Sequence, residues 1–181
     1  MRSFIISLFL IITTTLSALA KEPIRTFEGT VTKIFDSDTF QVTDTRGTKV
    51  KIRLYGIDAP ETPKIDIKTG RISQSGQPYG TNAQQALEEM VLDKYVRIDV
   101  MSIDQYKMTL AIVWIVDKVI NKEMIKYGWA WAYRRFLNSP YASEYISLEE
   151  QARKERRGLW EQINPQPPWE FRKLQKKTKR G

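Results

Sequence analysis

Arg53-Leu54-Tyr55-Gly56-Ile57-Asp58-Ala59-Pro60-Glu61 is where the strand pattern and the chemistry of this chain meet. It begins as a strand, because Val50, Ile52, Leu54 and Ile57 are β-forming residues at near-alternate spacing. Gly56 and Pro60 then bring the strand to a stop. One guanidinium and two carboxylates, Asp58 and Glu61, fall at the mouth of an apolar segment. A second acidic pair, Asp36 and Asp38 in Phe35-Asp36-Ser37-Asp38-Thr39, lies on the preceding turn. Carboxylates brought together repel unless a cation or a proton sits among them. The chain contains no His and no Cys, so such a cation meets oxygen ligands, which suit calcium or magnesium rather than zinc. An arginine beside them matches phosphate through paired hydrogen bonds. Metal, phosphate clamp and spare carboxylate are the parts of a metal-assisted phosphodiesterase. The competing reading is ordinary turn residues, since Asp, Gly and Pro fill hairpin loops.

Composition sets the frame for that stretch. A chain of 181 residues fits one domain plus a targeting segment. Met1 to Ala20 reads as a secretory signal: Arg2 gives the charge, Phe4 to Ile12 the apolar run and Ala18-Leu19-Ala20 the cleavage site before Lys21. A membrane-spanning helix is the competing reading, but the apolar run is too short and threonines interrupt it. A secreted or periplasmic location is therefore expected. Without Cys there is no disulfide, so the fold stands on its core alone. The formal net charge is +8, of which the signal contributes one. That excess favours polyanions, nucleic acid first and an anionic membrane surface second.

Around the central stretch, Thr26 to Phe35 alternates as a strand whose Gly29 permits bending. Phe40 to Thr43 forms a second strand, Asp44-Thr45-Arg46-Gly47 a hairpin turn, and Thr48 to Tyr55 a third strand. Pro63 to Pro78 reads as a polar, solvated loop placed to cover a substrate. The pattern predicts a helix from a Thr81 cap to about Leu92, with Ala83, Leu87, Met90 and Val91 on its core face. Strands are predicted at Tyr95 to Met101 and Thr109 to Val116, and helices at Val119 to Tyr127 and Ser143 to Arg157. Trp129 and Trp131 read as packing residues, and Trp169 as an aromatic that docks on the barrel or last helix. The expected fold is β-rich α+β, a five-stranded oligonucleotide/oligosaccharide-binding barrel with about three helices. It spans residues 21–172, followed by a basic, disordered tail at 173–181.

The acidic turn and the run through Glu61 resemble the signature of the staphylococcal-type nuclease (thermonuclease) family, an Asp-Gly-Asp-Thr turn followed by Arg-Leu-x-Gly-Ile-Asp-x-Pro-Glu. The likeness continues through Tyr79-Gly80, Asp104-Gln105-Tyr106, Leu110-Ala111, Asn121, Gly128-Trp129-Ala130, Ala152-Arg153, Gly158-Leu159-Trp160 and Pro167-Pro168-Trp169-Glu170-Phe171-Arg172. The resemblance implies a calcium ion held by Asp38, Asp58 and the backbone carbonyl of Ala59, with Asp36 in an outer role and magnesium the lesser alternative. It implies that Glu61 activates the attacking water and that Arg53 neutralises the phosphate in the transition state. A strand-end ion pair to Asp58 or Glu61 is the other reading of Arg53. Tyr106, Lys107 and Tyr133 are the implied substrate-binding residues, the tyrosines touching phosphate or stacking on bases and so favouring single strands.

Two positions depart from the family pattern. Ser37 stands where the family has Gly, and a turn needing positive φ would tolerate serine less well. More seriously, the family's Asp-x-Tyr-Gly-Arg-x-Leu-Ala reads here Asp104-Gln105-Tyr106-Lys107-Met108-Thr109-Leu110-Ala111. Met108 thus replaces the second catalytic arginine, and Lys107, Arg134 or Arg135 are open as substitutes. Three readings follow. The first is a secreted, calcium-dependent endonuclease, a monomer acting on DNA and RNA with little sequence specificity. The second is a catalytically impaired nucleic-acid-binding protein, and the third a basic module associated with the cell envelope.

Overall fold

The computed structural model describes residues 22–137 and 141–178; the signal expected at residues 1–20 lies outside them. In chain order the elements are β1 (Arg25–Asp36), β2 (Thr39–Asp44), β3 (Lys49–Leu54), β4 (Ile57–Asp58), β5 (Lys64–Ile65), β6 (Ile72–Gln74) and α1 (Gly80–Val91). They continue with β7 (Tyr95–Ile103), β8 (Thr109–Ile115), β9 (Lys118–Val119), α2 (Ile120–Lys126), β10 (Trp131–Ala132), α3 (Tyr141–Lys154) and α4 (Pro168–Thr178).

The main sheet runs β3-β2-β1-β7-β8-β9. Pairing of β3 with β8 in parallel, Arg53 level with Leu110, closes the first five strands into a barrel. Closure needs strong local curvature, and the ladders supply it at irregularities: Val31/Lys33 and Ile34/Asp36 in β1, Val100/Ser102 in β7. Gly29, expected from the sequence to let β1 bend, is where β1 comes close to β2. A Cβ there would lie 2.5 Å from the Thr43 carbonyl oxygen and 2.7 Å from a Val42 methyl, so only glycine lets β1 lie so near β2. The interior is filled by Val31, Phe40, Val42, Ile52, Leu54, Ile98, Val100 and Val113, all inaccessible or nearly so. The expected oligonucleotide/oligosaccharide-binding topology is therefore present.

Among the described residues four α-helices surround the barrel, where about three were expected. α1 starts at Gly80, not behind a Thr81 cap; its N-cap is Tyr79 at φ 66°, with no side-chain cap hydrogen bond. The Tyr79 hydroxyl instead donates to Glu161 Oε2 at 2.8 Å. The disordered tail expected at residues 173–181 is corrected as far as Thr178, through which α4 continues, and residues 179–181 lie outside the described residues. The expected Pro63–Pro78 loop contains the β5–β6 hairpin, turned around Asp66, whose carboxylate accepts the Lys68 and Thr69 N–H groups.

Asn121 ties helix to barrel. This fully buried side chain accepts the Val113 N–H at 3.0 Å and donates to the carbonyls of Tyr55, at 2.9 Å, and Ala111, at 3.0 Å. It thereby fixes the end of β3 that leads into the acidic stretch. Asn121→Ala leaves buried polar groups without partners, and urea unfolding should show a loss of at least about 2 kcal/mol. A loss below about 0.5 kcal/mol would contradict this role.

Candidate active site

Strand ends and turns at one rim of the barrel gather the acidic residues. Gly56, at φ 77°, turns the chain out of β3 so that Ile57 and Asp58 form β4. A Cβ on Gly56 would lie 2.4 Å from a Leu137 methyl as well as being strained. β4 pairs with β10, Asp58 level with Trp131 and Ala132 with Ile57. β10 is itself held by buried Glu149 of α3, which accepts the Ala132 N–H at 2.7 Å and pairs with Arg153 at 2.8 Å.

The structure brings together Asp38, Arg53, Asp58 and Glu61. Arg53 Nη2 lies 2.9 Å from Asp38 Oδ2 and 2.8 Å from Asp58 Oδ1, so the two carboxylates converge on one nitrogen. Asp38 is steadied by the Thr39 hydroxyl, which donates to its Oδ1 at 2.6 Å. Its backbone carbonyl accepts the Leu54 N–H at 3.0 Å. Ser37 has no positive φ, so the strain expected for a serine at this turn is absent. Its buried hydroxyl donates to the Pro60 carbonyl at 2.6 Å and latches the acidic turn onto the Asp58–Glu61 segment. Ala59 is buried beside Asp58.

Sequence reasoning missed Arg172. From α4, its Nη2 donates to Asp58 Oδ2 at 2.7 Å, while its Nη1 reaches Asp58 Oδ1 at 3.0 Å and Glu61 Oε1 at 2.6 Å. Burial pushes the Asp58 carboxyl above its ordinary range and the Asp38 charge adds to this; Arg172 and Arg53 pull it back without cancelling it. Asp38 in turn strengthens the protonated form of Arg53 against its burial. The only advance signal for Arg172 was its place in the Trp169-Glu170-Phe171-Arg172 run.

Tyr106, 81% exposed, and Lys107, also exposed, stand on the β7–β8 turn, with Lys107 at φ 62° where the family pattern has glycine. Met108 follows, half-buried, its N–H donating to Asp104 Oδ1 at 2.9 Å. Arg134 and Arg135 line a groove of about 800 Å³ together with Trp131, Tyr133, Arg153, Trp169 and Lys173. Arg134 lies 3.9 Å from Glu149 and not on the acidic cluster. One face of Tyr133 is stacked on Trp169, centroids 5.2 Å apart.

The donors are hard oxygens only. Among the described residues no group of three or more acidic side chains is arranged to hold a metal ion. Asp38 and Asp58 therefore offer two converging carboxylates, and any further ligands would be backbone carbonyl and water.

Residues 51–162 match the family described as Staphylococcal nuclease homologue. The chain belongs to the staphylococcal nuclease family. It is 33% identical over 159 residues to a protein named Micrococcal nuclease from Shigella flexneri, covering 83% of each. It is likewise 33% identical over 175 residues to an "Uncharacterized endonuclease" of Haemophilus influenzae, covering 97% of this chain and 88% of that one. A "Probable staphylococcal-like nuclease" of Oryza sativa subsp. japonica is 34% identical over 151 residues, although the match spans 41% of that longer protein.

Asp36 serves this nuclease-family site as a brace. It accepts the Ser37 N–H at 3.0 Å, the Thr62 hydroxyl at 2.7 Å and the Lys64 ammonium, joining the acidic turn to the residues after Glu61. Burial raises its pKa, but the hydrogen bonds from Lys64 and Thr62 outweigh it and leave the pKa below its ordinary 3.8. A depressed carboxyl contributes stability that is present above its unfolded pKa and lost as pH falls through its folded one. Asp36→Asn should flatten the loss of stability below about pH 4, followed by urea unfolding across pH. An unchanged acid slope would contradict this.

Proposed function

We propose that the chain is a secreted, calcium-dependent endonuclease that hydrolyses phosphodiester bonds in DNA and RNA with little sequence preference. The convergence of Asp38 and Asp58 on Arg53, with Glu61 on the same rim, carries this reading. Relatives named as nucleases support it.

The oxygen donors fit a hard divalent cation, held by Asp38, Asp58 and the Ala59 carbonyl, with calcium favoured over the more demanding octahedral magnesium. Such a cation would supply Lewis acidity toward a phosphoryl oxygen. Glu61 takes or orients the proton of an attacking water as the water oxygen bonds to phosphorus. The bond from phosphorus to one ester oxygen breaks, and that oxygen leaves with a proton. Arg53 donates to the non-bridging oxygens as their charge grows. The groove beside the cluster combines Trp131, Tyr133 and Trp169 with Arg134, Arg135, Arg153 and Lys173. Phosphate contacts and aromatic stacking are tolerant of sequence and suit single strands. The substrate is therefore a polyanion drawn to a chain of net charge +8.

Purified protein should cut labelled single-stranded DNA and RNA when calcium is added and stop with chelator. Arg53→Ala and Glu61→Gln should each lower kcat on the order of 10²–10³. Undiminished turnover by Glu61→Gln would remove the catalytic proposal. Met108 at the missing arginine favours a second reading, a binder that does not cut, for which the same assay gives salt-sensitive binding without product. Export is part of the proposal, and the intact mass of protein recovered outside the cytoplasm should show a start at Lys21.

A further inference from the structure

We propose that Arg172, carried in by α4, supplies the second phosphate-binding guanidinium that the β7–β8 turn lacks in this chain. The inference rests on the nuclease reading and names a residue that completes its substrate clamp. Three independent observations lead to it.

The first is placement. Arg172 and Arg53 both donate to Asp58 Oδ1, at 3.0 Å and 2.8 Å. Two guanidinium groups within hydrogen-bonding distance of one oxygen are close enough for a single tetrahedral anion to accept from both. Arg172 also touches Glu61, the residue assigned to the attacking water. It therefore borders the place where a scissile phosphate must sit if Arg53 grips it.

The second is how α4 is docked. Trp169, Arg172 and Gln175 recur at helical spacing and share one face. Trp169 packs edge-on against Trp131, at 5.7 Å, and is stacked on Tyr133. Gln175 donates to the Ser75 carbonyl at 2.9 Å. Anchors on both sides of Arg172 hold it over Asp58, whose ladder neighbour is Trp131. A latch needed only for stability would be met by the aromatic contacts. The added fork of donors aimed at a rim carboxylate pair is what phosphate recognition calls for.

The third is what stands at the position the family gives to its second arginine. Met108 carries no charge or donor, and the neighbouring Lys107 is exposed on the turn. Arg134 pairs with Glu149 rather than with Asp38, Asp58 or Glu61, and Arg135 lines the neighbouring groove. Arg172 is the arginine besides Arg53 that forms an ion pair with Asp58 among the described residues. When substrate enters, its phosphate exchanges for carboxylate oxygens as the partner of Arg172, and no bond to hydrogen need break.

The test uses the full chain and the variants R172A, R172K and R172A/M108R, each checked for folding by urea unfolding. Anisotropy of a labelled single-stranded oligonucleotide with chelator present reads binding alone, and initial rates with calcium separate kcat from KM. R172A should lower kcat on the order of 10²–10³. It should also weaken chelator-state binding and reduce its salt slope by about one. R172K should recover binding but not the full rate, because a point charge replaces the fork. The Met108→Arg change should restore at least tenfold of the lost kcat in the R172A background. If R172A fails to fold, R172K carries the test, with an expected drop in kcat of at least tenfold at unchanged stability. An active parent whose folded R172A stays within threefold in kcat and affinity overturns this inference alone; so does a fully active R172K where R172A does not fold. A parent that cuts with neither calcium nor magnesium overturns the nuclease reading, and this inference with it.

Discussion

A carboxylate shut off from solvent, Asp58, meets two arginines from distant parts of the chain, and the rest of the rim is arranged around that contact. Arg53 arrives from the barrel strand five residues earlier and Arg172 from a helix 114 residues later. An ion of this kind without partners is strongly unfavourable, and removing one member of a buried pair typically costs about 3–5 kcal/mol. The contact therefore does two things: it keeps an anion inside the barrel rim, and it closes the C-terminal helix over it. Around it, Asp36, Asp38, Asp58 and Glu61 face only Arg53, Lys64 and Arg172 as ion-pair partners in the described residues. One negative charge is left over. An excess of that sign at converging hard oxygens is the electrostatic reason a cation belongs in the proposed chemistry.

The barrel serves this contact as a frame. Curvature at the irregular ladder positions brings the β1–β2 turn beside the end of β3. Ser37 and Asp36 then fasten that turn to Pro60, Thr62 and Lys64. From the other side, Glu149 fixes β10, and β10 fixes β4. The charged groups are thereby aligned before any ligand arrives, which is what electrostatic catalysis requires and what loosely held surface residues do not provide.

Much of this was legible in the sequence because it is local. Alternating apolar residues in β1, β2, β3 and β7 and the continuous apolar run of β8 mark the barrel. Asp38, Arg53, Asp58 and Glu61 form a compact pattern whose members the fold does bring together. What escaped depends on distance along the chain. The stretch from Lys173 to Arg180 is rich in Lys, a composition that reads as a solvated tail. Only the docking of Trp169 and the burial of Asp58 show why α4 persists there. Thr81 looked like a cap because local propensity favours it, but the helix begins at Gly80, which lies so close to the Glu61 backbone that a Cβ would be 2.2 Å from its carbonyl oxygen. Ser37 looked like a strained replacement for glycine, yet its hydroxyl has a buried partner that no local rule foretells.

If the ion contact at Asp58 holds the C-terminal helix in place, neutralising that one carboxylate must loosen the helix without disturbing the barrel. Hydrogen exchange on the protein and on Asp58→Asn reads this directly. The account predicts that backbone amides of residues 172–176 exchange at least about tenfold faster in the variant, while those of β1, β7 and β8 keep their protection. Unchanged exchange across α4 would contradict it, showing that the aromatic packing of Trp169 alone seats the helix and that Asp58 is not the point on which the site depends.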